Sequence, residues 1–372
     1  MAPRHRIVII GGYGNTGRRV ARLLAPRADL QLVIAGRQIA SARAAADALQ
    51  SVAAHSVLAE SADARDAAAR RALFRGATLV LAASSTTDHA ADIARDAIGA
   101  GADACDTNLS MPGKIAALRA LAPDAERAGR TVITDGGFHP GLPGVMARHA
   151  GHLLPGLTDA RVGGSFNIDW RSLAFSDATV TEFVDELSHM NPEAYVDGRW
   201  VRSWSAMRAF DFGGDIGTRQ CVPWAMEEMR ELPASIPTLR NAGFYIAGFS
   251  PVIDYLVMPA AMIALRVAPA ARAVIGRAFL RALRQWTPQG AWAVLQLDGS
   301  GSDPRRDVRI RVSHGDGYAL TAIPVAACIE QLLDGARRPG VFTQAGYVEP
   351  AAFLHRLQAL GVSVQVTVGA AR

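Results

Sequence analysis

Close to the N-terminus, Gly11-Gly-Tyr-Gly14-Asn-Thr-Gly17 sets glycines in a GxGxxG pattern (Gly12, Gly14, Gly17) that is also GxxGxxG (Gly11, Gly14, Gly17). The loop follows the apolar run Arg6–Ile10 and opens a segment of helical spacing, Arg18–Leu24. Glycines at these places permit a tight turn, a close approach of pyrophosphate to backbone, and contact between helix and strand. The helix start adds N–H groups and a positive dipole. Gly11, Gly12, Tyr13, Gly14, Asn15, Thr16 and Gly17 are therefore the candidate phosphate cradle of a dinucleotide.

The end of the second strand chooses between dinucleotides. An NAD site places an acid about 20 residues on, for the ribose hydroxyls. Here the place holds Gly36-Arg37. A guanidinium pairs with a 2′-phosphate that a carboxylate would repel. NADP(H) is accordingly favoured over NAD(H), with Ser41 and Arg43 as further phosphate candidates. Asp63, past the third strand, is positioned to reach the adenine amino group. Ala83, Ser84 and Ser85 end the fourth strand, where small residues let a cofactor lie against backbone; Ser85 or Thr86 is expected to cap the helix that follows.

Proton chemistry has few candidates. Of 39 basic residues 38 are Arg, and Lys114 is the only lysine, so any lysine-based mechanism would have to use it. It lies past Ser110-Met-Pro-Gly113, near a helix start. His139, in the Gly/Pro-rigid loop after Thr131–Thr134, the expected last parallel strand, is the best-placed titratable group; Asp106 and Asp135 end strands and are candidates to orient it or to bind a substrate amine. Asp169, Trp170, Arg171, Glu182, His189, Tyr195, Asp211, Arg219 and Trp224 could line a substrate pocket, without diagnostic spacing. No metal is expected, because no His/Cys/Asp/Glu cluster has ligand spacing. No GxSxG nucleophile turn occurs either.

These residues need a scaffold of alternating elements. Strands are predicted at Arg6–Ile10, Leu30–Ala35, Thr78–Ala83, Ala102–Asp106 and Thr131–Thr134, with helices over Ala40–Leu49, His89–Ala100 and Ile115–Ala128. That rhythm gives a doubly wound parallel sheet of Rossmann type. Beyond about Gly144 the pattern becomes α+β. Val162–Asp169 reads as a strand and Thr179–Met190 as a helix. Ala291–Leu297 and Val308–Val312 read as an antiparallel pair with Tyr318–Thr321 as a third strand, and a helix is predicted over Ile323–Leu333. The expected division is 1–140 dinucleotide domain, 141–321 substrate and dimerisation domain, and 322–372 returning to the first domain, with the C-terminal helix packed back on it.

Composition narrows the classes. Half the residues are hydrophobic, which excludes overall disorder. The first 75 residues hold 12 Arg against 5 acids, a balance of +7, while the rest balances at −2. Without a basic run interleaved with aromatics, a small phosphorylated ligand and a small-molecule substrate are the expected partners, and nucleic acid is not. Three distant cysteines and an N-terminus that runs straight into a strand point to a cytoplasmic setting. The apolar stretch Phe244–Leu265 leads into a basic amphipathic segment, Arg272–Arg284. It reads as a core or dimer helix, with the wall of a greasy substrate tunnel or a membrane-surface contact as alternatives. A homodimer is the expected assembly.

Together the motifs resemble the saccharopine dehydrogenase-like oxidoreductases. The resemblance rests on Gly-Gly-Tyr-Gly-Asn-Thr-Gly-Arg-Arg (11–19), Ala-Gly-Arg (35–37), Ala-Asp-Ala-Cys-Asp-Thr (102–107) and Asp-Gly-Gly-Phe-His-Pro-Gly-Leu-Pro-Gly (135–144). Gly335–Val341 and Phe353–Val364 resemble that family's closing segment. The resemblance implies a Rossmann domain, an inserted mixed-sheet domain, and NADP-linked hydride transfer in a cleft between them. It also implies that Gly137–Gly141 borders the nicotinamide. Members act on carbon–nitrogen bonds, and some relatives reduce double bonds in lipid- or polyketide-like substrates; a non-catalytic dinucleotide-binding or membrane-peripheral protein is the remaining alternative. Ser84-Ser-Thr-Thr87 departs from the Gly-Pro-Phe type turn of many members, which leaves the substrate open.

Overall fold

The structure is a computed structural model that describes residues 3–171, 191–202, 204–303 and 306–370. The chain forms two compact units, one of Met1–Val145 with Tyr318–Leu360, the other of Met146–Gly317 with Gly361–Arg372.

In the first unit the strands β1 (His5–Ile10), β2 (Leu30–Gly36), β3 (Leu58–Ser61), β4 (Leu79–Ala82), β5 (Asp103–Asp106) and β6 (Thr131–Thr134) form one parallel sheet. Its order is Gly340–Thr343, β6, β5, β4, β1, β2, β3. Ile7, Val8, Ile9, Val33, Ile34, Val80 and Leu81 have no exposed surface, as expected of strands covered on both faces. The covering helices are α1 (Asn15–Leu24), α2 (Ile39–Asp47), α3 (Ala67–Leu73), α4 (Ala90–Gly99), α5 (Pro112–Arg119) and α6 (Ala122–Ala128). The helix anticipated over Ile115–Ala128 is thus two, and Pro123, which lacks an N–H, stands at the start of the second.

Three other expectations change. Tyr318–Thr321 is not a strand but the first turn of the helix Gly317–Asp334, which carries Leu320 and Ile323 into the core. Thr131–Thr134 is not the last parallel strand, because Gly340–Thr343 pairs outside it. The closing segment returns to the first unit only as far as Leu360; Ser363–Ala370, whose valines alternate with polar residues, pairs antiparallel with Arg306–His314 in the second unit.

That second unit holds a mixed sheet in the order Arg208–Asp211, Thr218–Trp224, Asn241–Ala247, Leu157–Asn167, Trp292–Gly301, Arg306–His314, Ser363–Ala370. The predicted pair is present, joining Trp292–Gly301 to Arg306–His314. A separate apolar cluster gathers Trp170, Ile253, Phe279, Leu280, Ala282 and Leu283. The helix expected over Thr179–Met190, with Glu182 and His189, lies outside the described residues.

Candidate functional site

At the carboxyl end of β1 the chain turns at Gly11, whose φ of 74° is a left-handed conformation suited to glycine. Gly11 N donates to Ala35 O at 2.8 Å, and Ala83 N donates to Ile10 O at 2.9 Å. The loop is therefore seated between the ends of β2 and β4. A Cβ on Gly11 would stand 2.7 Å from Ala83 O and from Ser84 Cβ; one on Gly17 would stand 2.4 Å from Gly11 O and 2.8 Å from Gly12 Cα. Both glycines are compelled by contact with backbone. α1 begins after Gly14 with no side-chain cap and no acid in its first turn, so Asn15, Thr16 and Gly17 open a helix whose positive end nothing in the first turn neutralises.

Tyr13 spans the loop and β2. Its ring stands where a Gly36 Cβ would be, 2.4 Å away, and its hydroxyl accepts from Gln38 N at 3.3 Å. Arg37 is exposed beside it, with Ser61 Oγ donating to its carbonyl at 3.3 Å. Ser41 Oγ donates to Gln38 Oε1 at 3.0 Å, and Arg43 is exposed on the same helix. Asp63 is engaged by Arg65, 2.7 Å away, and that side chain holds the carboxyl well below the usual range.

The strand ends beyond β4 carry buried polar atoms without protein partners: Ser84 Oγ, Thr87 Oγ1, Asn108 Nδ2 and Asp135 Oδ2. Buried polar groups are usually satisfied, so four such atoms on neighbouring connections mark a place built for something besides packing. The Thr86 hydroxyl does not cap the following helix. It turns back to Ser84 O at 3.1 Å.

Lys114 is the centre of this region. Its Nζ donates to Asp135 Oδ1 at 2.7 Å, to Asp106 Oδ1 at 3.2 Å and to Asn108 O at 3.1 Å. All three side chains are buried. Burial is the largest influence on the ammonium and pushes its pKa down, but the two carboxylates outweigh it and leave it above the ordinary value. Thr134 Oγ1 and Asn108 N complete the cluster on Asp135 and Asp106 at 3.3 and 3.0 Å. The two aspartates that the sequence offers as partners for His139 are thus joined by Lys114 instead. Its uniqueness in the composition was the one available signal of this role, since the matching motifs exclude it.

His139 follows in a loop held from behind. Gly137 N donates to Gln344 Oε1 at 3.1 Å, and Gln344 Nε2 donates to Gly137 O at 3.2 Å. Gln344, 0 % exposed and more than two hundred residues away, had no sequence signal. The His139 ring lies 4.4 Å from that of Phe138 between centroids, and the His139–Pro140 bond is cis. Burial lowers its pKa to about 4, so the imidazole is neutral at pH 7.

Among the described residues of the second unit, the pocket candidates are engaged separately. Trp170 is core, Asp169 Oδ1 accepts from Arg171 N, and Asp211 Oδ1 accepts from Gly213 N. Tyr195 packs on Trp200, and Trp224 pairs with Phe244 across strands.

A glycine cradle at a helix start, on the carboxyl edge of a parallel sheet, defines a dinucleotide-binding Rossmann domain. Residues 7–133 match the model of the saccharopine dehydrogenase NADP binding domain. The cofactor of the domain is NADP. The whole chain has the fold of saccharopine dehydrogenase (L-Glu forming) from Saccharomyces cerevisiae, at 14% identity and a TM-score of 0.69, covering 98% of this chain and 99% of that one. C. glutamicum DAP dehydrogenase is similar at 14% identity and a TM-score of 0.45, covering 96% and 99%. No curated protein matches the chain by sequence. The cradle glycines and the unpartnered atoms after β4 and β5 fit a nucleotide lying along this edge.

Proposed function

We propose that the chain is an NADP-dependent oxidoreductase acting on a carbon–nitrogen bond, interconverting an amine and an imine. The observation that carries this reading is the Lys114–Asp106–Asp135 cluster. Two carboxylates share one ammonium, which leaves a net negative charge beneath the strand ends. Such a field favours a cationic substrate, an ammonium or protonated imine, over a neutral carbonyl or alkene.

Bound NADP supplies or takes up the hydride. In the oxidative direction His139, neutral at physiological pH, accepts the proton leaving the substrate nitrogen at its unprotonated ring nitrogen. Gln344 fixes the loop that presents this ring, and Asp106 and Asp135 act through the local field rather than by touching His139. Arg37 reads the 2′-phosphate, and the open end of α1 receives the pyrophosphate.

NADPH consumption with a 2-oxo acid and an amine supplied together, compared with enones and ketones lacking nitrogen, tests the reaction class. Turnover of only the nitrogen-free compounds would overturn it. Replacing Arg37 with Ala is expected to weaken NADPH by about 10- to 100-fold, the worth of one charge-assisted pair, and to leave NADH unchanged. Fluorescence titration with both cofactors reads this, and an unaltered preference removes Arg37 from the phosphate site.

His139→Asn is expected to lower kcat by about 10²–10⁴-fold with NADPH binding retained. A pH effect accompanies it. The unfolded imidazole titrates near 6.5 and the folded one near 4, so the unfolded chain binds more protons between those values and stability falls as pH falls through that window. Between pH 7 and 5 the wild type should lose on the order of 1–2 kcal/mol more than the variant. Urea unfolding at both values checks it; identical losses would contradict the lowered pKa of His139.

A further inference from the structure

The segment between Val252 and Trp286 is apolar on two faces. It runs through a π-helical turn, Ile253–Val257, into the helix Met258–Val267, and on to the helix Arg272–Trp286. Inward, Ile253, Val257, Met258 and Ala261 belong to or pack on the cluster of Trp170, Phe279 and Leu283. Outward, Tyr255 is 72% exposed, Leu256 67%, Ile263 64% and Val267 80%, and no residue of Met258–Val267 is fully buried. Val252, Leu256, Pro259, Ile263 and Val267 recur every three or four residues, which is one side of a helix. A soluble helix buries such a stripe and turns charge outward; here the stripe itself faces out. The same wording of sequence could have described a tunnel wall, but exposure of these residues speaks against that use.

Charge says what covers the stripe. From Tyr255 to Leu297 there is no Asp or Glu, while Arg266, Arg272, Arg277, Arg281 and Arg284 lie in that span. Arg266, Arg277, Arg281 and Arg284 are exposed. A two-fold pairing of this face with itself would set like charges against one another. Among the described residues no helix is long and apolar enough to cross a membrane. Exposed aliphatic and Tyr side chains in a stretch, Tyr255 to Leu297, whose only charges are arginines suit the boundary between headgroups and acyl chains, where the stems of arginine lie along apolar surface while the heads meet phosphate.

We propose that Val252–Trp286 is a lipid-surface docking element, laying the Leu256–Ile263–Val267 stripe into the headgroup layer of an anionic bilayer without spanning it. The enzyme would thereby work against a membrane surface, independently of which bond it reduces.

Co-sedimentation with vesicles tests it. The wild-type chain is expected to bind phosphatidylcholine vesicles containing phosphatidylglycerol, more weakly in high salt and more weakly still to phosphatidylcholine alone. Leu256→Ser/Ile263→Ser/Val267→Ser should lower binding by roughly tenfold or more. Arg266→Gln/Arg281→Gln should lower binding roughly tenfold on the anionic vesicles and little on the neutral ones. Both variants should bind NADPH as the wild type does, which separates lost docking from lost folding. Failure of the wild type to bind either vesicle overturns the proposal. So does a wild-type dimer that the triple serine variant converts to monomer, since the stripe then belongs to a second copy of the chain.

Discussion

Replacing Lys114 with methionine is expected to destabilise the first unit by about 3–5 kcal/mol. Methionine keeps most of the length of the lysine stem but removes the ammonium. Asp135, 0 % exposed, and Asp106, 6 % exposed, then stand together without a counter-charge. Their oxygens cannot turn to solvent, and the remaining donors, Thr134 Oγ1 and Asn108 N, are too few for two carboxylates. The sign with pH is distinctive. Without the ammonium the two carboxyls titrate above their ordinary range, so the folded variant holds protons that the unfolded chain releases. Its deficit therefore shrinks as the pH falls from neutral toward about 5. Urea unfolding at the two pH values measures both effects. A second variant, Lys114→Met with Asp106→Asn and Asp135→Asn, leaves a neutral cluster and should recover much of the loss. A deficit below about 1 kcal/mol in the single variant, the range of an exposed pair, would show that the cluster is not a buried charge balance.

The reason Lys114 was hard to weigh from sequence is physical. Eight residues separate it from Asp106 and twenty-one from Asp135, and nothing in that spacing says that the three meet. Its meaning depends on burial, which parallel strands create only when the sheet is complete. The glycine loop is the opposite case. Gly11, Gly14 and Gly17 act on their immediate neighbours, so a short window holds the whole requirement. The same contrast separates the strand Ile7–Ile10, continuous and apolar, from Gly340–Thr343, a four-residue strand whose partner β6 lies two hundred residues earlier. Gln344, placed next to it, inherits that obscurity. The sequence shows the apolar stretch that holds Leu256 and Ile263 but leaves open whether its face turns in or out, because helical periodicity is the same for both.

The other large effect concerns the cradle. Gly17→Ala is expected to weaken NADPH binding by about 100-fold or more, the equivalent of losing several hydrogen bonds to phosphate at once. The added methyl would stand 2.4 Å from Gly11 O and 2.8 Å from Gly12 Cα. Both are backbone atoms, so no rotamer relieves the contact. Retreat of the loop is opposed as well, because Gly11 N donates to Ala35 O and Gly14 N to Gly11 O, each at 2.8 Å. The strain must be relieved by α1 moving off β1, and that movement carries away the N–H groups of the first turn, the ones that a pyrophosphate needs. Gly99→Ala is the companion measurement. Gly99 closes α4 with no heavy atom within 4 Å of an added Cβ. This change should leave NADPH binding untouched and stabilise the chain by about 0.5–1 kcal/mol. Fluorescence titration with NADPH and urea midpoints on both variants decide the matter. If Gly17→Ala bound NADPH within about threefold of the wild type, under 1 kcal/mol, the contact between Gly17 and Gly11 would not be what shapes the cradle. Asn15 and Thr16 would then have to hold the phosphates through their side chains.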